Sequence, residues 1–179
     1  SAPTKPRYEG VDSFEGRSFH TYEWPEGIDL SNKRVAVMST GATGVQVIQS
    51  IADQVGELKV FQRRPNWCAP LHNSKIEDQA ALKASYGEIL EKVRSTPGGF
   101  IHAPKMISSR DVPKEDRYAY WEELYAAPGF GIWISNYIDV LIDEEANQEF
   151  SEFIAHKIRS RVKNQETAEK LIPKDHGFG

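Results

Sequence analysis

A glycine turn set between an apolar run and a helical repeat constrains this chain more than any other feature. Residues 34–37, Arg-Val-Ala-Val, are a short apolar, β-branched run, as a strand favours. Apolar side chains then recur at helical spacing over 45–55, at Val47, Ile48, Ile51, Ala52 and Val55, and Gly56 is placed to cap that helix. Residues 58–61, Leu-Lys-Val-Phe, form a second strand-like run. Strand, helix and strand in about thirty residues make a βαβ unit, so the two strands are expected to be parallel.

The turn itself reads Ser39-Thr40-Gly41-Ala42-Thr43-Gly44. Where a strand passes into a helix, free backbone N–H groups and the helix dipole point outward together, which suits a pyrophosphate. The dinucleotide pattern for such a turn is G-x-G-x-x-G, its second glycine admitting the phosphates and its third letting helix and strand pack closely. Gly41 and Gly44 fill those two places, and Ser39 stands in the first. If that position needs a positive φ, serine costs about 1 kcal/mol there, which predicts a roughly fivefold weaker site. Glycines that serve only to pack the turn are the plainer alternative.

The second strand sharpens the choice. An acidic residue after it would hold the ribose hydroxyls of NAD, whereas basic residues accommodate the 2'-phosphate of NADP. The strand exits into Gln62-Arg63-Arg64-Pro65, and each guanidinium is expected to favour NADP by about 1.5 to 3 kcal/mol. Merely solvated charge is the alternative. The cofactor-binding candidates are Thr40, Gly41, Ala42, Thr43, Gly44, Gln46, Arg63 and Arg64.

Composition narrows the remaining classes. With 22 basic and 26 acidic residues the net charge is -4, so there is no global positive field for nucleic acid or an anionic membrane. The single cysteine, Cys68, excludes an internal disulfide and fits a reducing cytoplasm. His72, His102, His156 and His176 lack metal-site spacing, and no G-x-S-x-G nucleophile motif occurs. The most apolar stretch, 132–142, is interrupted by Ser135, Asn136 and Asp139 and is too short to span a bilayer.

Beyond Pro65 the pattern is helical. A helix over 77–94 is expected to bury Ala80, Tyr86, Ile89, Leu90 and Val93 and to stop at Pro97-Gly98-Gly99. A second starts near Lys114 with Tyr118, Trp121, Leu124 and Tyr125 on one face and ends before Pro128-Gly129. A third covers 144–162, carrying Ala146, Phe150, Phe153, Ile154, Ile158 and Val162. These aromatic stripes read as core. The organisation expected is an interdomain linker over 1–28, a βαβ cofactor-binding core over 29–74, and a helical insertion with a return segment over 75–179.

Ahead of the βαβ unit stand Phe14, Gly16, His20, Trp24 and Pro25, in the order F-x-G-x-x-x-H-x-x-x-W-P. This resembles the fingerprint of the flavin-dependent Baeyer-Villiger monooxygenases, which lies on the linker between their flavin and NADP domains. The Ser1-Ala2-Pro3 start, the T-G-A-T-G turn, the F-Q-R-x-P-N-W segment, Gly131-Ile-Trp133 and 168–176 extend the likeness along the chain. The resemblance implies a Rossmann-like α/β fold of parallel sheet with a helical insertion. It implies that 40–44 meet the pyrophosphate of NADP and Arg63 its 2'-phosphate. Arg64 stands where the family has a small hydroxyl residue, and either strengthens phosphate binding or crowds it. The family reduces FAD with NADPH, activates dioxygen and inserts an oxygen beside a ketone carbonyl, giving an ester or lactone. The first flavin fingerprint and the family's catalytic arginine have no counterpart here, so the resemblance implies a piece that binds NADPH, carries no catalytic residue, and works with a missing FAD-binding domain. An NADP module of an N- or S-oxidising flavin monooxygenase and a non-enzymatic degenerate Rossmann domain are the competing readings.

Overall fold

The apolar run at Arg34 is a strand, β1 (Arg34–Met38), and it pairs in parallel with β2 (Glu57–Phe61) in register from Arg34 beside Glu57 to Met38 beside Phe61. Both belong to a computed structural model that describes residues 7–179, so Ser1-Ala2-Pro3 lies outside the described residues. Helix α1 (Ala42–Ile51) crosses between the strands and buries Gly44 and Ile51. It ends short of Val55, because the chain must return to the sheet: Gly56 and Glu57 both donate their N–H to the Lys33 carbonyl, at 2.9 and 3.2 Å. Gly56 is therefore no helix cap. It is absent from the glycines of positive φ, and a Cβ on it would lie 2.9 Å from the Asn32 carbonyl oxygen, so it is small to let two backbones pass.

Contacts divide the chain into two units, Ser1–Arg64 and Pro65–Gly179. In the second, α2 (Gln79–Ser95) starts where Asp78 accepts a hydrogen bond from the Ala81 N–H at 2.8 Å. Its expected buried face does not form. Tyr86 and Leu90 are 52% and 50% exposed and Ala80 is exposed, while Leu82, Ser85, Ile89 and Val93 are half-buried. Those four follow one narrow stripe of helical spacing, so the helix rests on one line and leaves its other apolar side chains in solvent.

Helices α3 (Lys114–Ala126) and α5 (Glu144–Arg161) supply the core of this unit, with the short α4 (Gly131–Ile134) between them in sequence. Trp121 and Phe150 are fully buried and meet edge to face at 5.0 Å, with Phe153 stacked beside Phe150. The Trp121 indole N–H donates to Asn136 Oδ1 at 3.0 Å, so the largest core side chain carries no unsatisfied polar atom. Helix α6 (Gln165–Leu171), capped by Asn164, was not expected from the sequence. The last turns of the chain then enter the core. Phe178 is buried; its N–H donates to Asn147 Oδ1 and Ser151 Oγ, each at 3.0 Å, and its carbonyl accepts from Asn147 Nδ2 at 2.7 Å. A side chain on Gly177 would collide with Asn147. The molecule is thus α/β, a small parallel sheet with helices. Among the described residues no helix is long and apolar enough to cross a membrane.

The apolar stretch 132–142 folds around a buried carboxylate. Asp139 accepts from the Ser109 N–H at 2.8 Å, Ser108 Oγ at 2.6 Å and Ser109 Oγ at 2.9 Å, capping the 3-10 turn Ser109–Asp111 from a distant part of the chain. Burial pushes this carboxyl up, but the donors from Ser108 and Ser109 outweigh it and hold the pKa below the ordinary value. A lowered folded pKa means that ionised Asp139 stabilises the fold above about pH 4, and that the contribution is lost as pH falls below that.

Two outcomes follow for stability. Trp121→Ala should cost about 3–5 kcal/mol in urea unfolding, whereas Leu90→Ala on the open side of α2 should change stability by about 0.5 kcal/mol or less. Asp139→Asn should flatten the fall of the urea midpoint below about pH 4; an unchanged acid limb would show that other carboxylates carry it.

Candidate functional site

The strand ladder does not stop at Met38. Ser39 donates its N–H to the Phe61 carbonyl at 2.9 Å, carrying the pairing one residue past the strand. Its φ is 131°, the left-handed side that serine rarely adopts. The cause lies in the helix start: a Cβ on Gly44 would collide with the Ser39 carbonyl oxygen, so strand end and first helical turn touch through backbone alone. Gly41 is the N-cap, with φ -69° and ψ 174°, and its carbonyl accepts from the Val45 N–H at 2.9 Å.

A helix leaves its first four N–H groups without intrahelical acceptors, here those of Gly41, Ala42, Thr43 and Gly44. The Ser39 hydroxyl oxygen accepts from the Gly41 N–H at 3.1 Å. No acidic side chain occupies the first turn of α1 to offset the positive end of its dipole. Three amides without intrahelical acceptors and an uncompensated dipole make this helix start receptive to an anion.

The arginine pair is tied to the same place. Thr40 Oγ1 donates to the Arg64 carbonyl at 3.0 Å, joining the glycine turn to the exit of β2. Arg63 and Arg64 are exposed, and register puts them beyond the carboxyl end of β2, beside the carboxyl end of β1. The structure therefore gathers Thr40, Gly41, Ala42, Thr43, Gly44, Arg63 and Arg64 at one edge, where ligands of parallel sheets bind. Gln46 sits one turn further along α1. It lines an open, largely apolar groove of about 290 Å³ with Trp24, Thr43, Val47, Ser50 and Ile51.

The five motif positions upstream each make local contacts. The Phe14 ring lies over Gly16, where a Cβ would strike it. His20 Nδ1 accepts from the Tyr22 N–H at 3.1 Å and caps the 3-10 turn Thr21–Glu23, which delivers Trp24 to the groove on α1. Trp24 meets Phe19 edge to face at 5.2 Å, and the Pro25 carbonyl accepts from the Ile28 N–H at 3.4 Å. His20 thus acts through hydrogen bonding to backbone. Among the described residues no three His, Cys, Asp or Glu side chains converge to hold a metal ion. Cys68 is an exposed residue whose sulfur is nonetheless desolvated, which pushes its thiol pKa up, away from reactive cysteines.

Two features of the site escaped sequence reasoning. The Ser39 hydroxyl bond has a signal, since serine commonly bonds the amide two residues on. The Thr40 to Arg64 link spans 24 positions and has none.

Fold and turn define an α/β protein with an anion-receptive strand-to-helix junction at the carboxyl ends of a parallel sheet. No protein-family model matches the chain. It is 47% identical over 188 residues, all of this chain and 34% of the relative, to the 2-oxo-Δ3-4,5,5-trimethylcyclopentenylacetyl-CoA monooxygenase of Pseudomonas putida. It is 39% identical, again over its full length and 34% of the relative, to the methyl acetate-forming acetone monooxygenase of a Gordonia species. The crystal structure of OTEMO in complex with FAD and NADP superposes with a TM-score of 0.92 at 47% identity, covering all of this chain and 35% of that one. A phenazine N-monooxygenase of Lysobacter antibioticus is 34% identical over 95% of the chain and 32% of its own length. The chain is a homologue of the flavin-dependent Baeyer-Villiger monooxygenases and spans about a third of the length of the relatives it matches.

Gly44→Ala tests the turn. Alanine would ordinarily stabilise a helix by up to about 1 kcal/mol, but here its Cβ meets backbone, and a loss of about 1–3 kcal/mol is expected. Faster amide hydrogen exchange across β1, α1 and β2 would report it.

Proposed function

We propose that this chain is the NADP(H)-binding module, Rossmann-like in fold, of a cytoplasmic flavin-dependent monooxygenase that inserts oxygen beside a ketone carbonyl. The observation that carries the reading is the helix start of α1, with three amides that have no intrahelical acceptor and no acidic side chain in its first turn, at the same sheet edge as an arginine pair. A relative 47% identical to this chain has been crystallised with FAD and NADP, which supports the same cofactors here. The residues fit the group. Gly41, Ala42, Thr43 and Gly44 would take the pyrophosphate on backbone N–H groups, and Gly44 lacks the Cβ that would break the turn. Arg63 would meet the 2'-phosphate, with Arg64 adding charge beside it. Gln46 and Trp24 would flank the nucleotide from the groove on α1.

NADPH supplies the reducing equivalents that such an enzyme passes to FAD. This chain's own part is to bind and orient that cofactor. We assign flavin and ketone binding to the stretches of the relatives that this chain does not match, and place no catalytic residue within it. Phe14, Gly16, His20, Trp24 and Pro25 shape the approach to α1 and perform no chemistry in this reading. The oxidation class has a second candidate. The phenazine N-monooxygenase relative favours N-oxidation as that alternative, because the same cofactor module would serve either reaction.

Calorimetric titration decides between a nucleotide module and a scaffold without cofactor. NADP+ should bind at least about tenfold more tightly than NAD+, with the preference reduced in Arg63→Ala and weakened by added salt. Equal affinities, or NAD+ preferred, would remove the arginines from the site. NADPH oxidation by this chain without a flavin domain would overturn the division of labour.

A further inference from the structure

Ser39 is the one position at which the turn departs from G-x-G-x-x-G, and its side chain does more than fill the place of a glycine. Its oxygen accepts the Gly41 N–H at 3.1 Å, one of the four amides that a helix start offers to an anion. We propose that the Ser39 hydroxyl is a built-in competitor for the phosphate site: it occupies the Gly41 amide in the free protein, and a nucleotide phosphate must displace it to use that donor. The inference rests on the reading of this turn as the NADP phosphate site, which the NADP complex of a 47% identical relative supports.

Serine here has two separable effects. Its Cβ makes the positive φ of 131° costly, but that conformation is imposed from both sides. The Ser39 N–H is held by the Phe61 carbonyl, and its own carbonyl is packed against Gly44. The strain is therefore present with or without a ligand, lowering stability and leaving affinity alone. The fivefold weakening that sequence reasoning attached to φ belongs to the hydroxyl instead. An N–H has one proton to give. A phosphate oxygen, being charged, is the stronger acceptor, so it wins the amide at the expense of the bond it replaces.

Ser39→Ala removes the hydroxyl and keeps the Cβ, while Ser39→Gly removes both. Three readouts on the wild-type chain and the two variants separate the effects: NADP+ affinity by calorimetry, thermal stability, and hydrogen exchange of the Gly41 amide without ligand. Both variants should bind NADP+ about three- to tenfold more tightly than wild type, to a similar extent, and both should exchange Gly41 faster. Only Ser39→Gly should gain stability. Wild-type affinity in Ser39→Ala would overturn the proposal, and weaker binding would show that the hydroxyl donates to the phosphate. Unchanged Gly41 exchange in Ser39→Ala overturns it whatever the affinities. Failure of every protein to bind NADP+ overturns the nucleotide reading, and the exchange result then still says whether the amide is held by Ser39.

Discussion

The close approach of Gly44 to the Ser39 carbonyl is the contact on which the rest of the first unit depends. It sets the angle at which α1 leaves β1, and so it decides where the helix points its first amides. A larger side chain at 44 would push the helix off the strand end. The carbonyl of Ser39 could then no longer face inward, and φ at Ser39 would relax. The strained serine and the small glycine are two sides of one requirement: backbone must touch backbone if the helix start is to lie at the sheet's carboxyl edge. Thr40 extends the same constraint to the arginine pair by bonding the Arg64 carbonyl.

The two units are built on different physics. Few side chains are buried around β1, α1 and β2, where Gly44 and Ile51 are the buried positions of the helix and Met38, Val60 and Phe61 remain exposed. Parallel strands normally lie beneath covering elements on both faces, and a two-stranded sheet is marginal by itself. The helical unit has a deep aromatic core instead, and several of its buried polar groups are matched, the Trp121 indole with Asn136, the Asp139 carboxylate with Ser108 and Ser109, and the Phe178 backbone with Asn147, while Arg117 Nε is buried without a hydrogen-bond partner. Asn147 also donates to the Val140 carbonyl at 2.8 Å, so one amide side chain joins the chain's end to the turns before α5. Such matched buried groups rigidify, since each unmade bond would leave a costly polar atom in an apolar setting.

What was legible in the sequence follows from whether the signal is local. The strands came from short apolar runs flanking the glycine turn, and α3 and α5 from periodicity, because a helix face that packs on a core must repeat at its own pitch. The face of α2 was misjudged for the same reason: Ala80, Tyr86 and Leu90 share its apolar pattern, but no neighbour within the unit covers them, and periodicity does not say whether a partner exists. Gly56 looked like a cap because glycine often is one; its real constraint, the passing Asn32 backbone, lies 24 residues away. That positions 40–44, 63 and 64 lie together at the carboxyl edge of the sheet was readable from their place in the βαβ unit. The bond that joins Thr40 to Arg64 was not, since hydroxyl-to-backbone contacts at long range leave no mark on composition or period.

A cofactor module need not record the oxidation it serves. On the proposed reading, this third of the relatives' length handles a nucleotide whose phosphates and charge are the same whatever is later oxidised. Its constraints are then those of anion binding and of a turn narrow enough to admit backbone to backbone. That accounts for a relative named for acetone oxidation and another for phenazine N-oxidation both aligning along nearly the whole chain. The divergence expected between them belongs where the substrate carbonyl or nitrogen is held. The motif at Phe14, Gly16, His20, Trp24 and Pro25 fits this division. Its residues cap a turn, meet a neighbouring ring edge to face and line a groove on α1, tasks that depend on the shape of the cofactor domain and are indifferent to the acceptor of the oxygen atom.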